Sequence, residues 1–252
     1  MKRTATLFFS VIFAASAALA SSDNQKYPKQ VHWSFDGMLG KVDKQSAQRG
    51  FQVYKEVCAA CHGLERVAFR NLHDLGFTEA EIKALAAEST IADGPNDEGE
   101  MFDRAGLPSD YFPSPYANVN AARAANNGAY PPDLSLIVKA RPNGANYLYS
   151  LMSGYGEPPA DHHVPDGMYY NPYFAGGNIA MPAPLSDDRV VYEDGTSATT
   201  DQMSRDVVNF LQWAAEPEME ERKQMGIKVL IYLAITTIFL YIAMRHIWKR
   251  VH

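Results

Sequence analysis

Cys58-Ala59-Ala60-Cys61-His62 is the stretch on which the reading of this sequence turns. It has the form C-x-x-C-H, the attachment sequence for a covalently bound c-type haem. Two thiols separated by two residues share one helical turn, so each can add to one vinyl group of the same porphyrin. The residue that follows then offers an imidazole to the iron from the proximal side. A neutral imidazole is a good ligand, and its second ring nitrogen can donate to a carbonyl that fixes the tautomer. Other uses of C-x-x-C fit less well. A thioredoxin-like redox motif needs a strand–helix–strand setting, which is missing here. A zinc site needs further ligands at finger spacing, and the chain has only two cysteines. A disulfide between Cys58 and Cys61 would close a very short, strained loop.

The 252 residues are 46% hydrophobic and 21% charged, with a formal net charge of −6. The apolar fraction excludes a mainly disordered chain, and the charged fraction excludes a polytopic membrane protein. A net-acidic balance argues against nucleic acid as a partner. Two cysteines cannot make a disulfide framework.

Both ends read as membrane-targeting segments. Residues 1–20 form a signal peptide: Lys2 and Arg3 are basic, an apolar run follows from Leu7, and Ala18-Leu19-Ala20 fits a small-x-small cleavage site. Residues 225–244 form a transmembrane helix in which Lys228 is the only charge. At 1.5 Å per residue that stretch covers roughly 30 Å, the thickness of a hydrocarbon core. Arg245, Lys249 and Arg250 follow it, so residues 245–252 are expected to be a cytoplasmic tail. Residues 21–224 are then a periplasmic domain of a bacterial inner-membrane protein. That domain holds 17 lysines and arginines against 29 aspartates and glutamates, a balance of −12. Glu88, Asp93, Asp97, Glu98, Glu100 and Asp103 make one candidate docking patch for a basic partner; Asp187, Asp188, Glu193 and Asp194 make another.

Within the domain the pattern is mainly α with long loops. Asp43 can cap a helix that reaches about Val57, and Thr78 with Glu81 makes a capping box. Asp133 can cap a short helix carrying Leu134, Ile137 and Val138. Tyr147, Leu148 and Leu151 mark another. Thr200 can cap a last helix with Met203, Val207, Phe210, Leu211 and Ala214 on one face. Residues 189–192 are expected to form a small hairpin arm. The loops at 93–100, 108–115, 126–132 and 154–184 are rich in Pro, Gly and Asn. A loop as long as the last one is expected to wrap a ligand.

The iron's sixth position decides between electron transfer and chemistry at an open site. Met38, Met101, Met152, Met168, Met181, Met203 and Met219 are candidates, with His32, His73, His162 and His163. Met152 and Met203 sit on apolar helix faces, where core packing is the better reading. Met181 stands out because it follows Asn171-Pro172-Tyr173-Phe174-Ala175-Gly176-Gly177-Asn178. Glycine lets backbone approach a porphyrin closely, and proline stiffens the loop that aims the thioether. Met168 and the His162–His163 pair stay open as alternatives on local chemistry alone.

The chain resembles cytochrome c1, the haem subunit of the cytochrome bc1 complex, over nearly all of residues 21–252. The resemblance is carried by 57–62, by Asp93-Gly94-Pro95-Asn96 through Glu100-Met101-Phe102, and by Asp110-Tyr111-Phe112-Pro113. It continues through Tyr130-Pro131-Pro132-Asp133-Leu134-Ser135, Ala140-Arg141, 171–181 and Trp213-Ala214-Ala215-Glu216-Pro217. It implies a mainly α, c-type cytochrome fold with long haem-wrapping loops and one C-terminal transmembrane helix. It implies one covalent haem c, with Met181 as the sixth ligand beside His62 and Arg141 on a haem propionate. The implied activity is electron transfer from the Rieske iron–sulfur protein to an acceptor c-type cytochrome, beside cytochrome b, within a dimeric complex. Thr236 and Thr237 are modest polar handles for packing against cytochrome b. The runner-up is a membrane-anchored c-type cytochrome that serves another oxidase or dehydrogenase. A haem enzyme or gas sensor with an open iron site is the third possibility.

Overall fold

Asp43 begins the first helix as its sequence suggests. Its carboxylate accepts from the Gln45 and Ser46 amides at 3.1 Å each, satisfying free donors of helix α1, Lys44–Val53. The computed structural model describes residues 25–250. Residues 1–20, read as a signal peptide, lie outside them, as do the last two residues of the expected tail.

The α ladder stops at Val53 instead of reaching Val57. It gives way to a wider π turn, Tyr54–Cys58, in which the Ala59 amide donates to the Tyr54 carbonyl at 2.8 Å. One added residue rotates everything after it by about 100° about the helix axis. A 3₁₀ segment, Phe69–Leu75, follows, and then helix α2, Glu79–Ala87. The capping box forms: the Glu81 amide donates to the Thr78 hydroxyl, and the Glu81 carboxylate accepts from the Thr78 amide.

Strands β1, Thr90–Asp93, and β2, Phe102–Ala105, pair antiparallel with Thr90 opposite Ala105. The acidic stretch 93–100 thus lies at the tip of a hairpin. The sequence shows no alternation here because four-residue strands, mostly exposed on both faces, carry little periodicity. Arg104 fastens the hairpin. Its guanidinium binds Asp110 at 2.6 and 3.0 Å and pairs with Asp93.

Helices α3, Val119–Ala125, and α4, Gly144–Met152, come next. Between them Asp133 does not start a helix. Residues 134–140 form successive turns, with Ile137 bonded back to Leu134 and Lys139 to Leu136. The Asp133 carboxylate caps the Ser135 amide with one oxygen but gives the other to the Glu65 amide, 68 residues away. Ser135 likewise accepts from Arg66. Long-range bonds hold this segment in place of a helical ladder, and Pro142 disfavours helix at Arg141.

A two-residue pair, β3, Tyr169–Tyr170, and β4, Asn178–Ile179, closes part of the long loop. Residues 189–192 form no hairpin arm. Val190 and Tyr192 are buried, and the Arg49 guanidinium lies 5.8 Å from the Tyr192 ring. Apolar burial and that cation contact hold the segment against the core. Helix α5, Thr200–Ala215, is capped one residue earlier than expected, by Thr199. Thr200 instead donates its amide and hydroxyl to Asp187.

The core sits where α1 crosses α5. Gly50 is needed there: a Cβ on it would lie 2.0 Å from the Asp206 carbonyl oxygen. Phe51, Tyr54, Phe112 and Phe210 pack as one aromatic group, with centroids 5.6 to 6.2 Å apart. Beside it the fully buried Asp206 accepts two bonds from Arg49, at 2.9 and 3.0 Å, and one from Ser46 at 2.7 Å.

After Glu216 and Pro217 the chain enters helix α6, Met219–Trp248. Its most apolar 18-residue window has mean hydropathy 2.1, and none of that window is buried against the rest of the chain. Thirty residues span about 45 Å, so among the described residues one helix is long and apolar enough to cross a membrane. Arg245 and His246 lie in its last turn, favourably for the helix dipole. The Thr237 hydroxyl donates to the Leu233 carbonyl within the helix at 2.7 Å.

Removing Arg49 strands a buried carboxylate. Arg49→Met should therefore cost about 3–5 kcal/mol of unfolding free energy, read by chemical unfolding of the detergent-solubilised chain. A loss below 1 kcal/mol would mean that the ion pair does not hold the α1–α5 crossing. The hairpin clasp should also respond to acid. Its hydrogen bonds with Arg104 hold the Asp110 carboxyl down at about 2, below the ordinary 3.8. A depressed folded value stabilises above the unfolded one, so this contribution is full above pH 3.8 and fades as pH falls toward 2. Amide exchange of β2 should accelerate across that window, and Asp110→Asn should weaken the dependence, leaving the part carried by Asp93, whose carboxyl Arg104 also holds below its ordinary value.

Candidate functional site

The aromatic group under α1 places the π turn, and the π turn places the motif. After Cys58 the chain coils once more: Cys61 and His62 donate their amides to the Cys58 carbonyl at 3.1 and 2.9 Å. Both cysteines are free thiols and half-buried. Burial pushes the Cys58 thiol up to about 12, with the neighbouring Cys61 adding to the rise.

His62 is fixed from the opposite side of the motif. Its Nδ1 lies 2.7 Å from the Pro132 carbonyl oxygen. A carbonyl only accepts, so Nδ1 carries the proton and Nε2 keeps its lone pair. Among the described residues Nε2 has no hydrogen-bond partner. Desolvation lowers the His62 pKa below its ordinary value and so favours the neutral ring, against the opposing pull of the Pro132 bond. The Pro132 carbonyl is itself held by the 63–66 and 133–135 contacts, among them Leu134 donating to Gly63 at 2.9 Å. A cavity of about 190 Å³ opens beside this zipper, lined by Cys61, Tyr116, Asn118, Tyr130 and Pro131 among others.

Met181 is half-buried and packs against the same apolar core as Val57, Cys58 and Ala59. Its carbonyl accepts from the Tyr155 hydroxyl at 3.0 Å. Burial raises the Tyr155 phenol pKa, with Tyr147 adding to the rise, and the Arg141 charge counteracts the burial that raises Tyr147. Arg141, Tyr147, Tyr155 and the Met181 loop are thus electrostatic or hydrogen-bonded neighbours in series. Arg141 is exposed, makes no ion pair among the described residues, and donates only to the adjacent Ala140 carbonyl at 3.0 Å.

The other candidate ligands fall elsewhere. Met38 and Met101 are exposed; Met203 and Met219 are buried in the core. Met152 is half-buried against that core, as packing predicted. Met168 is half-buried, and His32, His73 and His163 are exposed. His162 is engaged with Asn178 at 2.9 Å. Of the acidic patches, Glu88 pairs with Lys55, Asp93 with Arg104 and Asp194 with Arg49, while Asp187 caps Thr200. Asp97, Glu98, Glu100 and Asp103 remain exposed around the hairpin tip. The Pro132 carbonyl was missed in the sequence because it meets His62 across 70 residues; the Tyr155 bond to Met181 was missed for the same reason.

The Cytochrome C1 family model matches residues 33–251. The chain belongs to the cytochrome c1 family. Among its relatives, a cytochrome c1 of Rhodospirillum rubrum is 48% identical over 268 residues, covering 100% of this chain and 98% of the relative. A mitochondrial cytochrome c1 haem protein of Arabidopsis thaliana is 53% identical over 232 residues, or 92% of this chain and 74% of that one. A protein of Candida albicans named as the cytochrome b-c1 complex catalytic subunit is 53% identical over 218 residues, 86% and 76% of the two chains. Membership of this family implies haem binding.

The donor set fits that group. Two free thiols stand on one turn, a neutral imidazole has its Nε2 open, and other loops of the same domain carry a half-buried thioether, Met181, and a guanidinium without an ion-pair partner among the described residues, Arg141. If burial protects the Cys58 thiol as described, haem-free chain should alkylate there slowly at neutral pH. The rate should rise about tenfold per pH unit as thiolate forms, which mass-spectrometric footprinting reads. A fast, pH-independent reaction at Cys58 would contradict the buried placement.

Proposed function

We propose that this chain is the electron-carrying haem subunit of a quinol–cytochrome c reductase. On this reading Cys58 and Cys61 hold one haem c through thioether bonds. His62 is the proximal ligand, Met181 the sixth, and Arg141 faces a propionate. The observation that carries the reading is the His62–Pro132 contact, which leaves Nε2 as a lone-pair donor beside the two thiols. When bound, the haem supplies a one-electron couple whose potential rises with a thioether in place of a second nitrogen ligand.

The protein's own part is placement. The α1–α5 crossing and the π turn hold the thiols and His62, and Tyr155 holds the backbone of Met181. The Arg141 fork matches a carboxylate in two-point geometry. No bond-making chemistry is assigned to this chain. The reading gives it electrons from a Rieske iron–sulfur protein and passes them to a c-type cytochrome, with cytochrome b as the membrane neighbour in a dimeric assembly. The exposed acidic hairpin tip suits a basic acceptor.

The topology is part of the same proposal. Residues 1–20 are a signal peptide, 21–224 a periplasmic domain, 225–244 the membrane span and 245–252 a cytoplasmic tail. Basic residues at the far end of α6 support that orientation. The family match and the bc1-complex name of the Candida relative favour this reading over an anchored cytochrome serving another oxidase or dehydrogenase.

Met181→Leu keeps the volume and removes the sulfur. It should abolish the methionine–iron(III) charge-transfer absorption, lower the reduction potential and open the reduced haem to carbon monoxide. Persistence of both the band and the potential would remove Met181 from the ligand set.

A further inference from the structure

The loop that carries Met181 is long, irregular and free of any covalent cross-link. It contains residues 154–184, and both cysteines of the chain lie in the haem motif. Its inner end is secured: Asn171 is fully buried and donates its side-chain amide to the Leu151 carbonyl at the end of α4, at 2.8 Å. Its outer half, 157–170, has to be tied to the Met181 segment by something else.

Beyond the two-residue β3–β4 pairing at its end, that tie is made by one histidine and one asparagine. The Asn178 side chain donates Nδ2 to the His163 carbonyl at 3.1 Å. A carbonyl only accepts, so this bond fixes which way the amide points and turns Oδ1 toward His162. His162 Nε2 lies 2.9 Å from that oxygen and therefore donates to it. The imidazole also meets the Tyr170 ring edge-on, with centroids 4.8 Å apart. Gly177 completes the fit: its φ is +77°, and a Cβ there would lie 2.8 Å from the His162 ring. The ring is thus pressed against the backbone of the residue before Asn178. Asn178 opens β4, opposite Tyr170 in β3, and Met181 follows three residues later.

We propose that His162 is a positioning residue for the sixth ligand: with Asn178 it latches the outer loop to the Met181 segment and keeps the thioether seated. The inference rests on Met181 being that ligand. The latch does not depend on protonation of His162, since Nε2 donates in both the neutral and the charged ring. Its loss is a shift between seated and unseated loop. Two hydrogen bonds to one side chain bias that equilibrium by about tenfold or somewhat more.

The test uses the full-length, haem-loaded chain. In His162→Ala the ferrous haem should bind carbon monoxide about tenfold faster than in the wild type, with a weakened charge-transfer band and a lower potential. His162→Gln places an amide N–H near the position of Nε2 and should restore all three. Asn178→Ala should show at least the effect of His162→Ala, since it also removes the bond to the His163 carbonyl, and the double variant should add nothing to Asn178→Ala, because the His162 bond is already lost there. If His162→Ala does not accumulate, Asn178→Ala gives the same reading. Wild-type band, potential and carbon monoxide rate in both single variants would overturn the latch, as would failure of glutamine to rescue.

Met181→Leu separates this outcome from failure of the ligand assignment. If it changes the band while the latch variants do not, only the latch is wrong. If Met181→Leu leaves the band and potential intact, the ligand assignment falls and the latch loses its purpose. If His162→Ala alone destroys the low-spin spectrum, His162 is itself a ligand, and both are overturned.

Discussion

The site depends on how closely α1 can lie against α5. Gly50 offers no side chain at the contact, so the backbone of one helix nearly touches that of the other. A crossing this tight brings a buried carboxylate, Asp206, into reach of Arg49 and Ser46 on the facing helix. Loss of Arg49 would leave a charge in a dry environment, which is far more costly than the pair is stabilising. The aromatic group of Phe51, Tyr54, Phe112 and Phe210 fills the space around the crossing. The π turn grows directly from it, so the direction of Cys58, Cys61 and His62 is inherited from the core.

From this base the site closes with long-range hydrogen bonds instead of regular structure. The Pro132 carbonyl fixes the tautomer of His62. That carbonyl is in turn fixed because Asp133 and Ser135 bind the backbone just after the motif. On the other side Asn171, Tyr155 and His162 tie down a loop that has almost no strand or helix of its own. Backbone polar groups in such a loop still need partners, and these side chains supply several. The arrangement explains how an irregular segment can hold one methionine in one place.

What was legible in the sequence was local. Asp43 and the Thr78–Glu81 box announced their helices because capping needs only residues within one turn. The apolar face of α5 and the length of α6 were equally plain, and so was the haem motif. Asp133 misled because its cap geometry is real but its second oxygen serves a distant amide, and no local signal reports that. The 189–192 segment misled because short apolar residues next to turn residues read alike whether they form an arm or plug a core. The β1–β2 hairpin went unseen because strands of four residues, none of them buried, show no apolar alternation. The contacts that build the site, His62 with Pro132 and Tyr155 with Met181, join residues 26 to 70 positions apart. Single-sequence patterns do not carry that information.

The central claim is that one porphyrin is bonded to both sulfurs of the motif. Intact-mass measurement of the chain, purified from cells competent in cytochrome maturation and treated with an alkylating reagent under denaturing conditions, tests it most directly. The account predicts one haem per chain and no alkylation at Cys58 or Cys61. Haem-free mass with both cysteines alkylated would contradict it.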